Sequence, residues 1–499
     1  MYLPSAPSNE QKTLFVDSGK NKFYLWSSLS TLSLLIGAFL FVSNYSFIIP
    51  YTLFCIINLT YLFCAYIVGF ASREFNYKKH DALIAKHLDK STNQEIAIWL
   101  PVCGEPLELM RNTWKYVIKL IQAHEGKINV YVLDDGHSKE VENMAKELNF
   151  NYVDRGTNEL KKAGNLRNIF SKTTEPYFII LDTDFAPRSD FIINLMPYFY
   201  EDGRIGISQS PQFFEVTNNM TKVQKAASAV QELFYRLIQV NRDSFHGAIC
   251  IGSNAIYSRK HLERYGGTAD IGYSEDVRTS YRLSKDGGVV KYIPINLAMG
   301  TCPENWKSFF TQYYRWSMGS LDLMLSKEFW QKGLSIMQRI CYLTGMGYYL
   351  STGLSVIFIS LPSIYLLIFH PEYMFWYNLI FSIPSLIMSI LFMKHWSILP
   401  YTIDVLRVRQ ISAYAHLFAF KDLLMKTTEA WIVTGAKNNS KKYDTFVVFF
   451  TTMTLAIPII IISLVSVRIF EGYNPINFAL LLLITAFNAY INIPIIDDL

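Results

Sequence analysis

Six apolar stretches, two near the start and four near the end, flank a long polar middle, and this layout restricts the fold more than any other feature. Leu25 to Val42 and Ile48 to Ala71 each supply about 20 mostly apolar residues, enough for a helix to cross the hydrocarbon core. The first is not expected to be a cleaved signal, because a long charged lead-in precedes it and a second span follows at once. Cys341 to Phe369, Met374 to Met393, Phe446 to Val467 and Phe478 to Ile493 read as four more spans. The stretch ending at Phe369 is long for one crossing and short for two, which predicts a tilted or bent helix joined to an interfacial one.

Basic residues set the direction. Lys12, Lys20 and Lys22 precede the first span, and Arg73, Lys78 and Lys79 follow the second. Segment 394–442 carries Arg407, Arg409, Lys421, Lys426 and Lys437. The links around Asn44 and His370 have no Lys or Arg, and the one near Gly472 has only Arg468. The positive-inside rule therefore predicts a multi-pass cell-membrane protein with both termini, the middle domain and segment 394–442 in the cytoplasm. Net charge is +5 with no Lys/Arg-rich run, so a nucleic-acid partner is not expected. Six cysteines lie far apart without CxxC spacing and read as free thiols in a reducing compartment.

The middle alternates strand and helix. "EIAIWLPV" (Glu95–Val102), "INVYVLDD" (Ile128–Asp135), "YFIILDTD" (Tyr177–Asp184), "RIGISQSP" (Arg204–Pro211) and "GVVKYIP" (Gly288–Pro294) read as strands. That rhythm predicts an α/β domain with a largely parallel sheet, whose ligands bind beyond the carboxyl ends of the strands. Glu105, Asp134, Asp135, Asp182 and Asp184 all fall there. No GxGxxG or GxxxxGK[ST] opens a helix, which argues against a Rossmann cofactor site or a P-loop.

Four short motifs carry chemistry. In "LDTD" an extended backbone would send Asp182 and Asp184 to one side, as two hard oxygen donors for Mg²⁺ or Mn²⁺, although Asp is also common at turns. "LDDG" (Leu133–Gly136) repeats the pattern one strand earlier, and Asp135-Gly136 is equally a turn dipeptide. In "YSEDVRTSYRL", Glu275 and Asp276 open a helix with Ser274 as N-cap; they read either as first-turn capping charges or as a general base. In "QYYRW", Gln312, Arg315 and Trp316 fall at i, i+3 and i+4. One face then offers an amide, a cation and a flat ring, suited to an anionic, ring-shaped ligand or to an interfacial aromatic anchor.

Taken in order, these residues resemble the processive family 2 glycosyltransferases of the cellulose synthase type, whose pattern is DDG, DxD, TED and QxxRW followed by transmembrane helices. "PVCGEP" (Pro101–Pro106), "KKAGNLRN" (Lys161–Asn168), "QSPQFF" (Gln209–Phe214), "CIGSNAIYSR" (Cys250–Arg259) and "QRICYL" (Gln338–Leu343) match the same family, over about residues 95–440. The resemblance implies an α/β GT-A catalytic domain inserted between two transmembrane helices before it and four after, with interfacial amphipathic helices. It divides the chain into a tail (1–23), two spans (24–72), the GT-A domain (73–305), the QxxRW and interfacial helices (306–340), two spans (341–394), a cytoplasmic helix and gating loop (395–444) and two spans (445–499).

It also implies residue roles. Asp182 and Asp184 would hold Mg²⁺ or Mn²⁺ on the diphosphate of a UDP-sugar, with Asp134, Asp135 and Lys162 near the donor. Asp276, beside Glu275, would be the general base, and inversion would give a β-linked homopolysaccharide, such as a β-glucan from UDP-glucose. Arg315 would face the diphosphate, while Gln312 and Trp316 would hold the acceptor sugar. "WIVTGAK" (Trp431–Lys437) is similar to the FxVTxK gating loop, with Thr434 and Lys437 as donor contacts; it has Trp for Phe and one extra residue before Lys437. The expected partners are the UDP-sugar, the growing polysaccharide and the bilayer; an accessory export subunit or a homo-oligomer is left open. Ser274 replaces the family's Thr, and no PilZ domain is expected after the last span. A hyaluronan- or chitin-type synthase, and a single-sugar transferase acting on a lipid carrier, are the rival enzyme readings. A transporter without catalysis is the third, disfavoured because the apolar cores are nearly free of charge.

Overall fold

The computed structural model describes residues 2–427 and 441–499. Between two sets of apolar helices lies a seven-stranded sheet. In spatial order its strands are Asn151–Val153, Ile128–Asp134, Ile96–Val102, Tyr177–Ile180, Ala255–Ser258, Ile205–Gln209 and Val289–Tyr292. All run parallel except Ala255–Ser258, which is antiparallel to both neighbours. Five of these strands were expected from sequence. The edge strand Asn151–Val153 is too short for a pattern, and the antiparallel one lies within "CIGSNAIYSR", where Gly and Asn read as a turn. A small second sheet joins Ala186–Pro187, Ala298–Gly300 and Phe213–Phe214.

Side-chain alternation along Ile96–Val102 feeds two cores. Ile96, Ile98, Leu100 and Val102 pack with Met110, Trp114 and Val117 of helix Leu107–Gln122. Ala97 and Trp99 enter the core on the opposite face. Burial on both faces explains why this strand reads as one unbroken apolar run. Trp99, Phe178 and Tyr257 stack across three adjacent strands, with centroids 3.8 and 5.0 Å apart. This second core continues to Phe310, Val405 and Phe446, so sheet domain and apolar helices share one interior.

Among the described residues, six helices are long and apolar enough to cross a membrane, two before the sheet domain and four after it. The long stretch before His370 is broken: helix Ile336–Phe358 ends, and Leu361–Phe369 resumes with Pro362 in its first turn, where a missing N–H breaks no hydrogen bond. Helix Trp306–Leu325 starts at Asn305, whose side chain accepts from the Ser308 N–H at 2.9 Å. It packs along helix Ile403–Met425, which buries Val405, Val408, Ile411, Ala415 and Phe418. The N-terminal tail is docked on the sheet domain. Phe15 packs on Phe213 (5.5 Å between centroids), Lys12 pairs with Asp190 at 2.9 Å, and Arg188 donates to the Pro7 carbonyl at 2.6 Å.

Candidate active site

Parallel register brings the acidic strand ends together: Val102 lies opposite Asp134, and Trp99 opposite Ile180. The antiparallel strand begins beside them, with Ala255 opposite both Ile180 and Gln209. The loop before it therefore sits at the same edge, and the Ser253 hydroxyl accepts from the Asp182 N–H at 3.0 Å. These ends border a cavity of about 900 Å³ lined by Glu105, Asp135, Lys162, Asp182, Asp184, Asp276, Gln312, Arg315 and Trp316.

Asp182 and Asp184 reach the cavity by a route other than the expected one. The strand stops at Ile180, and the Phe185 N–H bonds to the Asp182 carbonyl at 3.2 Å, so a turn rather than an extended backbone presents the pair. Lys162 donates to Asp182 and, at 3.0 Å, to the Gly252 carbonyl. Burial first, and the charge of Asp182 second, push Asp184 up to about 7. Among the described residues no group of three or more His, Cys, Asp or Glu side chains is arranged to hold a metal ion. Two crowded carboxylates nevertheless fit a hard cation that takes its other ligands from phosphate and water.

Asp134 does not line the cavity, contrary to expectation. It is fully buried and accepts from the Gly136 N–H (2.6 Å), the Ser138 N–H (2.8 Å) and the Tyr152 hydroxyl (2.9 Å). It shapes the turn that presents Asp135. Asp135 does line the cavity, gripped by Arg155 through two bonds of 2.8 Å. Sequence reasoning missed Arg155: it lies just beyond a three-residue edge strand and belongs to no motif.

Glu275 and Asp276 occupy the first turn of helix Glu275–Lys285. Ser274 precedes that helix as expected but makes no capping bond; its backbone is left-handed (φ 49°) and its hydroxyl donates to the Arg315 carbonyl at 3.3 Å. Asp276 rests against Gly252, where a Cβ would come within 2.9 Å of Oδ2. Burial first and Glu275 second hold Asp276 well above the usual carboxylate range. Arg278 ties the same helix to Asp322 (2.6 Å) and Glu328 (2.7 Å) at the far end of the QYYRW helix.

Gln312, Arg315 and Trp316 share one face of helix Trp306–Leu325, and all three line the cavity. Burial lowers the Arg315 pKa, opposed by the charges of Glu275, Asp182 and Asp276, so this one guanidinium senses both acidic motifs. Among the described residues the buried Gln312 Oε1 has no hydrogen-bond partner, which leaves an acceptor for a ligand. Trp316 stands against Tyr313 at 5.0 Å. Thr434 and Lys437 lie outside the described residues.

Helix Trp306–Leu325 approaches Ser274 at Gly319, where any Cβ would collide with the serine side chain. Gly319→Ala is therefore expected to displace Arg315 and Trp316 from Asp276 and lower kcat by about 10²-fold. Adding Ser274→Gly should restore much of the loss, a coupling that a double-mutant cycle on turnover would measure.

Residues 97–266 match the family described as Glycosyl transferase family 2. The chain is 30% identical over 255 residues to the UDP-forming cellulose synthase catalytic subunit of Xanthomonas axonopodis pv. citri (strain 306), covering 50% of this chain and 35% of that protein. It is 32% identical over 275 residues to cellulose synthase 1 of Komagataeibacter xylinus, covering 54% of this chain and 18% of that one. A solved mannosyltransferase from Pyrobaculum calidifontis, in complex with GDP-Man and Mn²⁺, overlaps 70% of this chain and 97% of its own at TM-score 0.48 and 13% identity. The matched residues thus place a family 2 glycosyltransferase-like domain in the sheet, between apolar helices long enough to cross a membrane. The chain is similar to cellulose synthases, and it spans about a third or less of these two curated relatives.

Proposed function

We propose that this protein is an inverting, processive glycosyltransferase that polymerises UDP-glucose into a β-linked polysaccharide and passes it outward across the cell membrane. The observation that carries this reading is the continuity of the cavity: it runs from Asp182 and Asp184, past Asp276 and Trp316, to Tyr61 and Tyr348 on membrane-crossing helices. A transferase that adds one sugar and releases it has no use for such a path. The basic residues flanking the apolar helices support a cytoplasmic catalytic domain.

In this mechanism Asp182 and Asp184 would hold a divalent cation at the donor side of the cavity. When bound, Mg²⁺ or Mn²⁺ there supplies Lewis-acid stabilisation of the departing UDP. Lys162 and Arg315 add fixed positive charge on the same side. Trp316 stacks on the terminal acceptor sugar, and Gln312 Oε1 accepts one of its hydroxyls. Asp276 takes the proton of the attacking hydroxyl; Glu275, by raising the pKa of Asp276, makes it a stronger base. Attack opposite the leaving group inverts an α-linked donor. Asp135 borders the donor, Asp134 shapes the turn that presents Asp135, and Thr434 and Lys437 are donor contacts by resemblance alone.

Chelation by EDTA is expected to cut turnover by about tenfold or more, with Mg²⁺ or Mn²⁺ restoring it. The reading is tested with membranes given UDP-glucose, UDP-N-acetylglucosamine and UDP-glucuronate singly and in pairs, followed by linkage-specific glucanase digestion. High-mass, glucanase-sensitive product that requires UDP-glucose supports it; a solvent-soluble product bearing one sugar rejects it.

A further inference from the structure

The cavity is electrically divided. Every carboxylate that lines it, from Glu105 to Glu304, belongs to the catalytic domain. Among the described residues its membrane-side wall carries no acid, and the charges there are two guanidinium groups, Arg242 and Arg409, set among Tyr24, Tyr61, Tyr348 and Tyr349. Among the described residues, Arg409 hydrogen-bonds the Tyr401 hydroxyl alone, at 3.5 Å. Arg242 is 3% exposed and donates Nη2 to the Thr344 hydroxyl at 3.0 Å, and among the described residues its Nε has no hydrogen-bond partner. The acids close in sequence are occupied, Asp243 by Lys291 and Asp404 by Arg407. Gly345 gives Arg242 its room, since a Cβ there would come within 2.8 Å of Nη2.

A guanidinium withdrawn from water without a counter-charge is costly, and Arg242 is so placed. A neutral chain does not offset that cost. A carboxylate does, and its two oxygens match the guanidinium fork.

Resting on the processive reading above, we propose that the chain held in this wall is acidic: a β-linked polysaccharide whose repeat contains a uronate, supplied by a UDP-uronate alongside UDP-glucose. Each addition is the same balanced step. The acceptor oxygen bonds to the donor C1, the C1–O bond to the diphosphate breaks, UDP leaves with that electron pair, and the hydroxyl proton passes to Asp276. The uronate carboxylate is not consumed; Arg242 and Arg409 offer it successive partners as the chain advances.

The test uses membranes holding the full-length protein, labelled UDP-glucuronate and Mg²⁺, with or without unlabelled UDP-glucose. Label is expected in high-mass product that binds an anion exchanger, at about tenfold or more the level reached without UDP-glucose. Arg409→Gln should lower that incorporation about tenfold, whereas Arg409→Lys, which keeps the charge, should retain about a third or more. A high-mass product from UDP-glucose that stays neutral with both donors present overturns the inference and leaves the processive reading standing. Absence of high-mass product from every donor pair overturns both. The charge of the product is read on the unmodified protein, so the outcome does not depend on a variant folding.

Discussion

Asp276→Asn is expected to lower kcat by about 10²–10⁴-fold, the usual contribution of a positioned general base. Asparagine keeps the shape of the side chain against Gly252 and can still accept from the Val277 N–H, now 2.8 Å from Oδ1, but it cannot take a proton. Donor affinity, read by UDP-glucose titration, should stay within about threefold, because the loss falls on the transition state alone. The pH profile makes the same claim independently. Burial and Glu275 raise Asp276, and in the proposed mechanism only its deprotonated form is active. The kcat of the parent protein should therefore rise with pH through that raised pKa and level off above it, with an acid limb well above pH 4. Glu275→Gln removes the second cause and should move the limb to lower pH. A limb that stays in place, or an Asp276→Asn variant that turns over normally, would assign the proton to another group.

The second large effect is expected far from the chemistry. Glu232 is fully buried and accepts from Arg236 Nη1 (2.8 Å), the Ser397 hydroxyl, and the N–H groups of Ile398 (2.9 Å) and Leu399 (3.0 Å). Arg236 in turn donates to the Asp17 and Trp396 carbonyls and lies over the Trp396 ring at 4.7 Å. This knot joins a catalytic-domain helix, the tail and the end of the fourth apolar span. Glu232→Ala strands a buried cation and two backbone donors, a loss of about 3–5 kcal/mol. Heating in detergent followed by size-exclusion chromatography should show the variant aggregating at temperatures where the parent stays monodisperse. Glu232→Gln, which keeps an acceptor, should fall between them. Equal stability of all three would mean that the knot is solvated.

What the sequence disclosed followed its periodicities. Spacing at i, i+3 and i+4 placed Gln312, Arg315 and Trp316 on one face, and they line one cavity. Unbroken apolar runs marked the parallel strands, because both of their faces are buried. The missed features depend on pairings between distant residues or on local backbone form. Asp134 and Asp135 look alike in "LDDG", yet turn geometry buries one and presents the other. Asp182 and Asp184 were correctly brought together for the wrong reason, since a turn does the work assigned to an extended strand. Ser274 looked like a cap, but a left-handed backbone sends its hydroxyl to the QYYRW helix instead. The clamp from Arg155 to Asp135, the reach of Glu232 across 166 residues to Ile398, and the docking of the N-terminal tail leave no local pattern to read.

The most direct test of the processive claim is the size of the product early in the reaction, with enzyme limiting and both UDP-glucose and UDP-glucuronate in excess over Mg²⁺-loaded membranes. Full-length, high-mass chains are expected from the first time points while most acceptors remain unextended, because in the proposed mechanism each chain stays threaded between Trp316 and Tyr61. A product that grows uniformly through short oligomers, or that stops at one sugar on a lipid, would contradict it.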